Sequence, residues 1–221
     1  MLSKVNKIVI VGGGSAGWLT CAYALNNLPN TQITLIESPN IPTVGVGEAT
    51  ILGFDHFLDE CGIPKELWTK ACDATIKLGT YFPNWRDDGV NIWQPFYFPI
   101  EKSSKDNFVD FVDLCRDGNV EMKDFEQWTA WYDVSVVDKK VAGNTTALGG
   151  DAHVGYHLDA IKLANFLSEY CNKKYPRLRH IKANIDTPTI IDGKVAHLTL
   201  DNGDMITGDF FVDCTGFKRL L

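Results

Sequence analysis

Val11-Gly12-Gly13-Gly14-Ser15-Ala16-Gly17 fits Gly-x-Gly-x-x-Gly, with the three glycines at 12, 14 and 17. Each has a separate physical task. Gly12 permits a tight turn, Gly14 lets backbone approach a pyrophosphate, and Gly17 allows a helix to pack closely on a strand. The stretch follows a short apolar run, Lys7 to Val11, and opens into Ala16, Leu19, Ala22, Tyr23 and Leu25 at helical spacing. Strand, turn and helix therefore succeed one another, and the helix N-terminus, with Ser15 and Ala16 in its first turn, faces the phosphates. Pro29 and Asn30 end the helix, and a second apolar strand runs from Gln32 to Glu37. Glu37 lies 20 residues after Gly17, where a carboxylate can bind both hydroxyls of a ribose and repel a 2′-phosphate.

Further along, the pattern turns helical from Thr50 through Leu52, Phe57 and Leu58, stops at Gly62, and restarts near Pro64. Thr75 to Phe82 reads as extended. Residues 83 to 150 are rich in aromatics and turn formers and give no clear assignment. Tyr156 to Leu158 leads into a helix over Asp159 to Tyr170. After Pro176 the chain reads as strands over His180 to Ile185, Thr187 to Ile191, Val195 to Leu200 and Met205 to Val212. Pro188, Asp192-Gly193 and Asn202-Gly203 separate them, and a last strand-like run covers Asp209 to Gly216. The expected fold class is α/β: a Rossmann-like dinucleotide-binding domain with a parallel sheet, an antiparallel β-meander and a helical, aromatic insertion. The whole of 1–221 reads as one module, with its core in 1–50 and 151–221 and the insertion at about 51–150.

The composition narrows the function classes. At 221 residues, 45% hydrophobic and 22% charged, the chain is long enough and apolar enough for a sizeable core. A net charge of -7 repels a phosphate backbone and offers no basic footprint, so no nucleic-acid partner is expected. No apolar run reaches membrane-spanning length, and no membrane partner is expected. Six cysteines without a Cys-x-x-Cys indicate neither a zinc ribbon nor a disulfide framework. With no signal-peptide pattern at the N-terminus, the expected location is the cytoplasm. His153 and His157 are four apart, but no third ligand accompanies them, and no metal is expected.

NAD and FAD share the glycine cradle. The meander before a final strand ending in Thr-Gly resembles two-dinucleotide-binding flavoproteins and favours FAD. Trp18 directly after the cradle, Ile41-Pro42-Thr43-Val44-Gly45-Val46-Gly47-Glu48-Ala49-Thr50, Ile76-Lys77, Tyr156-His157-Leu158-Asp159 and Asp213-Cys214-Thr215-Gly216 then resemble the flavin-dependent tryptophan halogenase family in order and spacing. The resemblance runs from residue 6 to the end and falters between about 83 and 150. It implies cofactor contacts from Gly12, Gly14, Ser15, Ala16, Gly17, Glu37, Gly47 and Ala49. It also implies FADH2-dependent halogenation of an electron-rich, indole-like aromatic, with O2 and a halide as cosubstrates and a separate flavin reductase as partner. In that chemistry a peroxyflavin is attacked by halide, and the hypohalous acid travels to a lysine, here Lys77. The family's Gly-Trp-x-Trp-x-Ile-Pro segment, its halide contacts and its second catalytic carboxylate would fall beyond residue 221, so this chain alone is expected to be inactive. The alternatives are an aromatic monooxygenase and a noncatalytic FAD-binding fragment.

Taken by itself, Lys77 between Ile76 and Leu78 is equally a solvated strand lysine, pointing away from its two neighbours. A lysine in a semi-apolar pocket could instead lose its proton or hold a hypohalous acid by hydrogen bonding. Tyr81, Phe82, Trp85, Trp93, Phe96, Tyr97 and Phe98 form an aromatic cluster that could be ordinary packing or a substrate sandwich. Gln94 stands where tryptophan-acting relatives are expected to carry a histidine. Cys214, at a strand end, reads as a buried small residue.

Overall fold

The computed structural model describes residues 5–42, 47–77, 79–84, 92–95 (backbone only) and 154–221. Thr43 to Val46 of the glycine-valine string, Leu78, His153, and Trp85, Phe96, Tyr97 and Phe98 of the aromatic cluster lie outside the described residues. The chain forms two compact units. The first comprises 1–48, 55–74 and 158–221, the second 49–54 and 75–157.

The first unit is built on four parallel strands, β1 (Lys7–Val11), β2 (Gln32–Glu37), β8 (Arg179–Lys182) and β12 (Phe210–Asp213), which lie side by side in the order β12-β1-β2-β8. Val9 to Val11 and Ile33 to Ile36 are buried without alternation, because a parallel sheet is covered on both faces. On one face lie α1 (Ser15–Asn27) and α4 (Ala160–Lys174). The buried positions of α4, Ala160, Leu163, Ala164, Leu167 and Cys171, fall three and four apart and make one apolar stripe. On the other face Val9, Val11 and Ile36 join Leu198, Leu200 and Ile206 of the antiparallel meander β9 (Ile185–Ile191), β10 (Lys194–Leu200) and β11 (Met205–Ile206) in one core cluster. Two short helices, α2 (Phe54–Glu60) and α3 (Lys65–Ala71), complete this unit but for the first residue of α2. Pro64 caps α3, and Gly62, at φ +68, makes the turn between them.

In the second unit β4 (Thr75–Lys77) pairs antiparallel with β7 (Gly155–Asp159), setting Lys77 opposite Gly155. β3 (Gly47–Ala49), of which only Ala49 belongs to this unit, flanks β7 on the other side. β5 (Gly79–Phe82) and β6 (Ile92–Pro95) form a hairpin with Gln94 opposite Thr80.

Three expectations need correction. Met205 to Val212 is not one strand: β11 belongs to the meander and β12 to the parallel sheet. The break comes where Asp209 turns its carboxylate onto the Asn6 and Lys7 amides, at 2.8 and 2.9 Å, and donates its own N–H to the Lys7 carbonyl. Pro188 does not separate strands but sits inside β9 opposite Leu198, which an edge strand tolerates because its outer side needs no N–H donor. The helix begun at Asp159 runs on to Lys174, with Asp159 as its cap rather than its first residue.

The buried thiols follow from this packing. Cys21, Cys61, Cys72 and Cys171 are fully enclosed. Burial pushes Cys61 up to about 12 and Cys72 up to about 11, while a hydrogen bond with Cys171, with burial added, pushes Cys21 up as well. No described helix is long and apolar enough to cross a membrane.

Asp159 Oδ1 accepts the Lys162 N–H at 2.9 Å and is the side-chain cap of α4. Asp159→Ala should therefore lower stability by about 1 kcal/mol, within the range of lost caps. Chemical denaturation would check this, and Asp159→Asn should recover most of the loss.

Candidate functional site

β1 ends where the glycines begin, and the turn is tied to both neighbouring strands. Gly12 donates its N–H to the Ile36 carbonyl of β2 at 2.9 Å, while the Val11 carbonyl accepts from Cys214 N, just past β12, at 2.7 Å. Gly12 has φ +116, and a Cβ there would collide with the Cys214 carbonyl. A Cβ on Gly17 would collide with the Gly12 carbonyl, so only glycine lets α1 come this close to the turn. Gly14 differs: a Cβ there would meet no protein atom within 4 Å. Gly12 thus makes the turn and Gly17 the close packing, while the space beside Gly14 is open.

A cavity of about 520 Å³ opens at the carboxyl ends of β1, β2, β8 and β12, wholly within the first unit. Gly12, Gly14, Ser15, Ala16 and Glu37 line it, bringing together five of the nine expected site residues. Gly17 lies beneath as packing. Gly47 and Ala49 are exposed on β3 and do not line the cavity, although Glu48 between them does. Gly14 is the N-cap of α1 and no side chain caps the helix, so its first-turn amides are available to an anion at the cavity wall.

Glu37, the last residue of β2, is 18% exposed, and its Oε1 lies 2.9 Å from His180 Nε2 and 3.5 Å from Lys182 Nζ. Its Oε2 lies against Gly13. Sequence reasoning missed both β8 partners. The available signal was parallel pairing of β2 with the strand after Pro176, which puts His180 beside Leu35 and one diagonal step from Glu37. Also missed were Ser38, whose hydroxyl donates to Asn184 Oδ1 at 2.6 Å, and Asn184, whose amide donates to Asp201 at 2.8 Å; both residues line the cavity.

The Asp213-Cys214-Thr215-Gly216 segment forms another wall. Asp213 turns inward on its own chain: Oδ1 accepts the Thr215 N–H at 2.8 Å and hydroxyl at 2.6 Å, and Oδ2 accepts the Leu221 N–H at 3.0 Å. Burial alone would raise this carboxyl, but those donors outweigh it and hold it below the usual carboxylate range. Cys214 is half-buried, with burial raising its thiol, rather than fully enclosed as expected.

Lys77 lies in the second unit. It is half-buried, not the solvated lysine that its neighbours alone allow, and its Nζ donates to the Thr50 carbonyl at 3.3 Å. Thr50 is bound through three groups, its carbonyl being given to Lys77 while its N–H and hydroxyl bond the Tyr156 carbonyl and N–H of β7 at 2.8 and 2.9 Å.

A strand, a glycine turn, a helix N-terminus and an acidic second-strand end, set around one crevice of a parallel sheet, define a dinucleotide-binding α/β protein. The sequence match is narrower: the family model for tryptophan halogenase covers residues 7–221, and the chain belongs to that family. Over its full length it is 30% identical to a tryptophan 6-halogenase of Streptomyces albogriseolus, covering 44% of that protein, and 29% identical to a tryptophan 7-halogenase of Lentzea aerocolonigenes, again covering 44%. Among solved structures, a flavin-dependent halogenase from Xanthomonas campestris superposes with a TM-score of 0.78 at 31% identity, over 99% of this chain and 44% of that one. A tryptophan 6-halogenase from Streptomyces toxytricini gives 0.77 at 30%, over 99% and 45%. The chain spans less than half the length of these relatives.

Two glycine substitutions should separate ligand space from packing. Gly14→Val, with no protein atom in its way, should leave stability within about 0.5 kcal/mol of the parent and abolish FAD binding. Gly17→Ala should cost about 3 kcal/mol through overpacking. Thermal melts and FAD titration, run side by side, check both.

Proposed function

We propose that the first unit binds FAD and that the protein halogenates an electron-rich, indole-like aromatic. Support for the cofactor comes from Gly14, where backbone is open to a ligand, from the uncapped N-terminus of α1, which suits a pyrophosphate, and from Glu37, which suits the ribose hydroxyls. Gly47 and Ala49, either side of Glu48, join the proposed contact set through the family string. Reduced FAD, when bound, supplies the oxygen chemistry that turns a halide into hypohalous acid. Residues 1–50 and 151–221 serve as the cofactor core in this reading, and about 51–150 as the substrate side. A separate flavin reductase supplies the reduced cofactor, and the setting is cytoplasmic, in keeping with five described cysteines that are all free thiols.

The observation that carries the halogenation reading is Lys77. Its amine is half-buried and held on the Thr50 carbonyl, at the end of the family's most specific string. A lysine so placed can receive hypohalous acid through its N–H donors and present the halogen to an aromatic carbon.

Lys77→Ala in the full polypeptide should retain FAD affinity while carbon halogenation is lost. Lys77→Arg should fail too, since a broad planar guanidinium does not place a donor where the compact amine of lysine does. FAD titration, together with mass spectrometry of the aromatic product after reaction with bromide, checks this. An alanine variant halogenating at the parental rate would assign Lys77 to structure. Oxygenated product with or without bromide would point to a monooxygenase instead.

A further inference from the structure

Glu37 does not stand alone at the cavity wall. Asn172, on α4, uses one Nδ2 hydrogen on the Ser168 carbonyl at 2.8 Å, which fixes the orientation of its amide. The same Nδ2 lies 3.2 Å from His180 Nδ1, so its second hydrogen points to a ring nitrogen that must accept. His180 Nδ1 is therefore bare, the ring proton sits on Nε2, and Nε2–H donates to Glu37 Oε1 at 2.9 Å. Trp18, buried directly after the glycine cradle, crosses the imidazole at 87° with ring centroids 4.9 Å apart and holds its tilt. Oε1 is thus engaged by β8, while Oε2 has no hydrogen bond to any described residue and remains for a ligand hydroxyl.

We infer that His180 is a positioning residue for the cofactor: the Asn172–His180 relay, braced by Trp18, fixes the Glu37 carboxylate so that its second oxygen meets the adenosine ribose. This rests on the reading that the cavity takes FAD. It accounts for a tryptophan and a histidine that otherwise have no task in the site. The relay is assembled entirely from α1, β2, β8 and α4 of the first unit and needs no ligand to exist.

The consequence is a coupling that ordinary packing would not produce. A charged hydrogen bond to the carboxylate is lost in His180→Phe, so FAD should bind about tenfold more weakly. In a Glu37→Ala background the same change should have almost no further effect, because the group it orients is gone. FMN, which lacks the adenosine ribose, should bind parent and His180→Phe equally. His180→Gln, whose amide can reach Oε1, should restore most of the FAD affinity. The measurement is flavin affinity by fluorescence quenching in the full polypeptide, with thermal melts for each variant. Long-range 1H–15N spectra of the ligand-free protein should show the Nε2–H tautomer at His180. Equal losses in the parental and Glu37→Ala backgrounds, equal losses for FAD and FMN, or an Nδ1–H tautomer would each overturn the relay. Parental protein that binds no FAD would overturn both the relay and the cofactor reading, whereas parental binding unchanged in His180→Phe would overturn the relay alone.

Discussion

The contact of Gly17 with the Gly12 carbonyl sets how near α1 can lie to the end of β1, and the rest of the first unit depends on that distance. A helix held this close brings its first-turn amides level with the ends of four parallel strands. Gly12 is simultaneously hydrogen-bonded to β2, and Val11 to the residue after β12, so the turn cannot drift from the sheet. The cavity is the space these restraints leave, walled by the glycine turn on one side and by residues at and just past the ends of β2, β8 and β12 on the others.

Two strand-end carboxylates show how similar places in the sheet yield different roles. Asp213 and Glu37 both close strands beside the glycine turn. Asp213 is surrounded by donors from its own chain, and they hold its carboxyl below the usual carboxylate range because both oxygens are already engaged. Glu37 is held from one side only. The difference arises from the path of the chain as it leaves each strand. Beyond β12 it curls back through Thr215 to Leu221 and brings donors to Asp213, while just beyond β2 Ser38 bonds Asn184 and Asn40 and leaves the Glu37 carboxylate to β8.

The βαβ unit and its glycines were legible because local rules suffice there: apolar runs, turn glycines and an acidic residue at a fixed offset all concern neighbours in sequence. The meander was legible in its Asp192-Gly193 and Asn202-Gly203 turns, both with the glycine at positive φ. The division of Met205 to Val212 between two sheets was not, since it depends on Asp209 meeting amides more than 200 residues away. For the same reason His180, Asn172 and Asn184 escaped notice. Their importance comes from pairing β8 with β2 and from packing α4 on the sheet, and no spacing along the chain encodes either. Lys77 was singled out only by family resemblance, because a lysine between two apolar strand residues looks the same in sequence whether its amine meets water or a carbonyl.

The enclosed thiols acquire a meaning in light of the chemistry proposed. Hypohalous acid is an indiscriminate oxidant of sulfur, and thiolates are its most reactive targets. Cys21, Cys61 and Cys72 are shielded from diffusing species and kept protonated by their surroundings, which removes both access and nucleophilicity. Met205, 67% exposed on β11, has neither protection. Among the described residues, wear from escaped oxidant would therefore fall on sulfur outside the core, at Cys214 on the cavity wall and as sulfoxide at Met205 on the meander, where a methionine sulfoxide reductase could reach it.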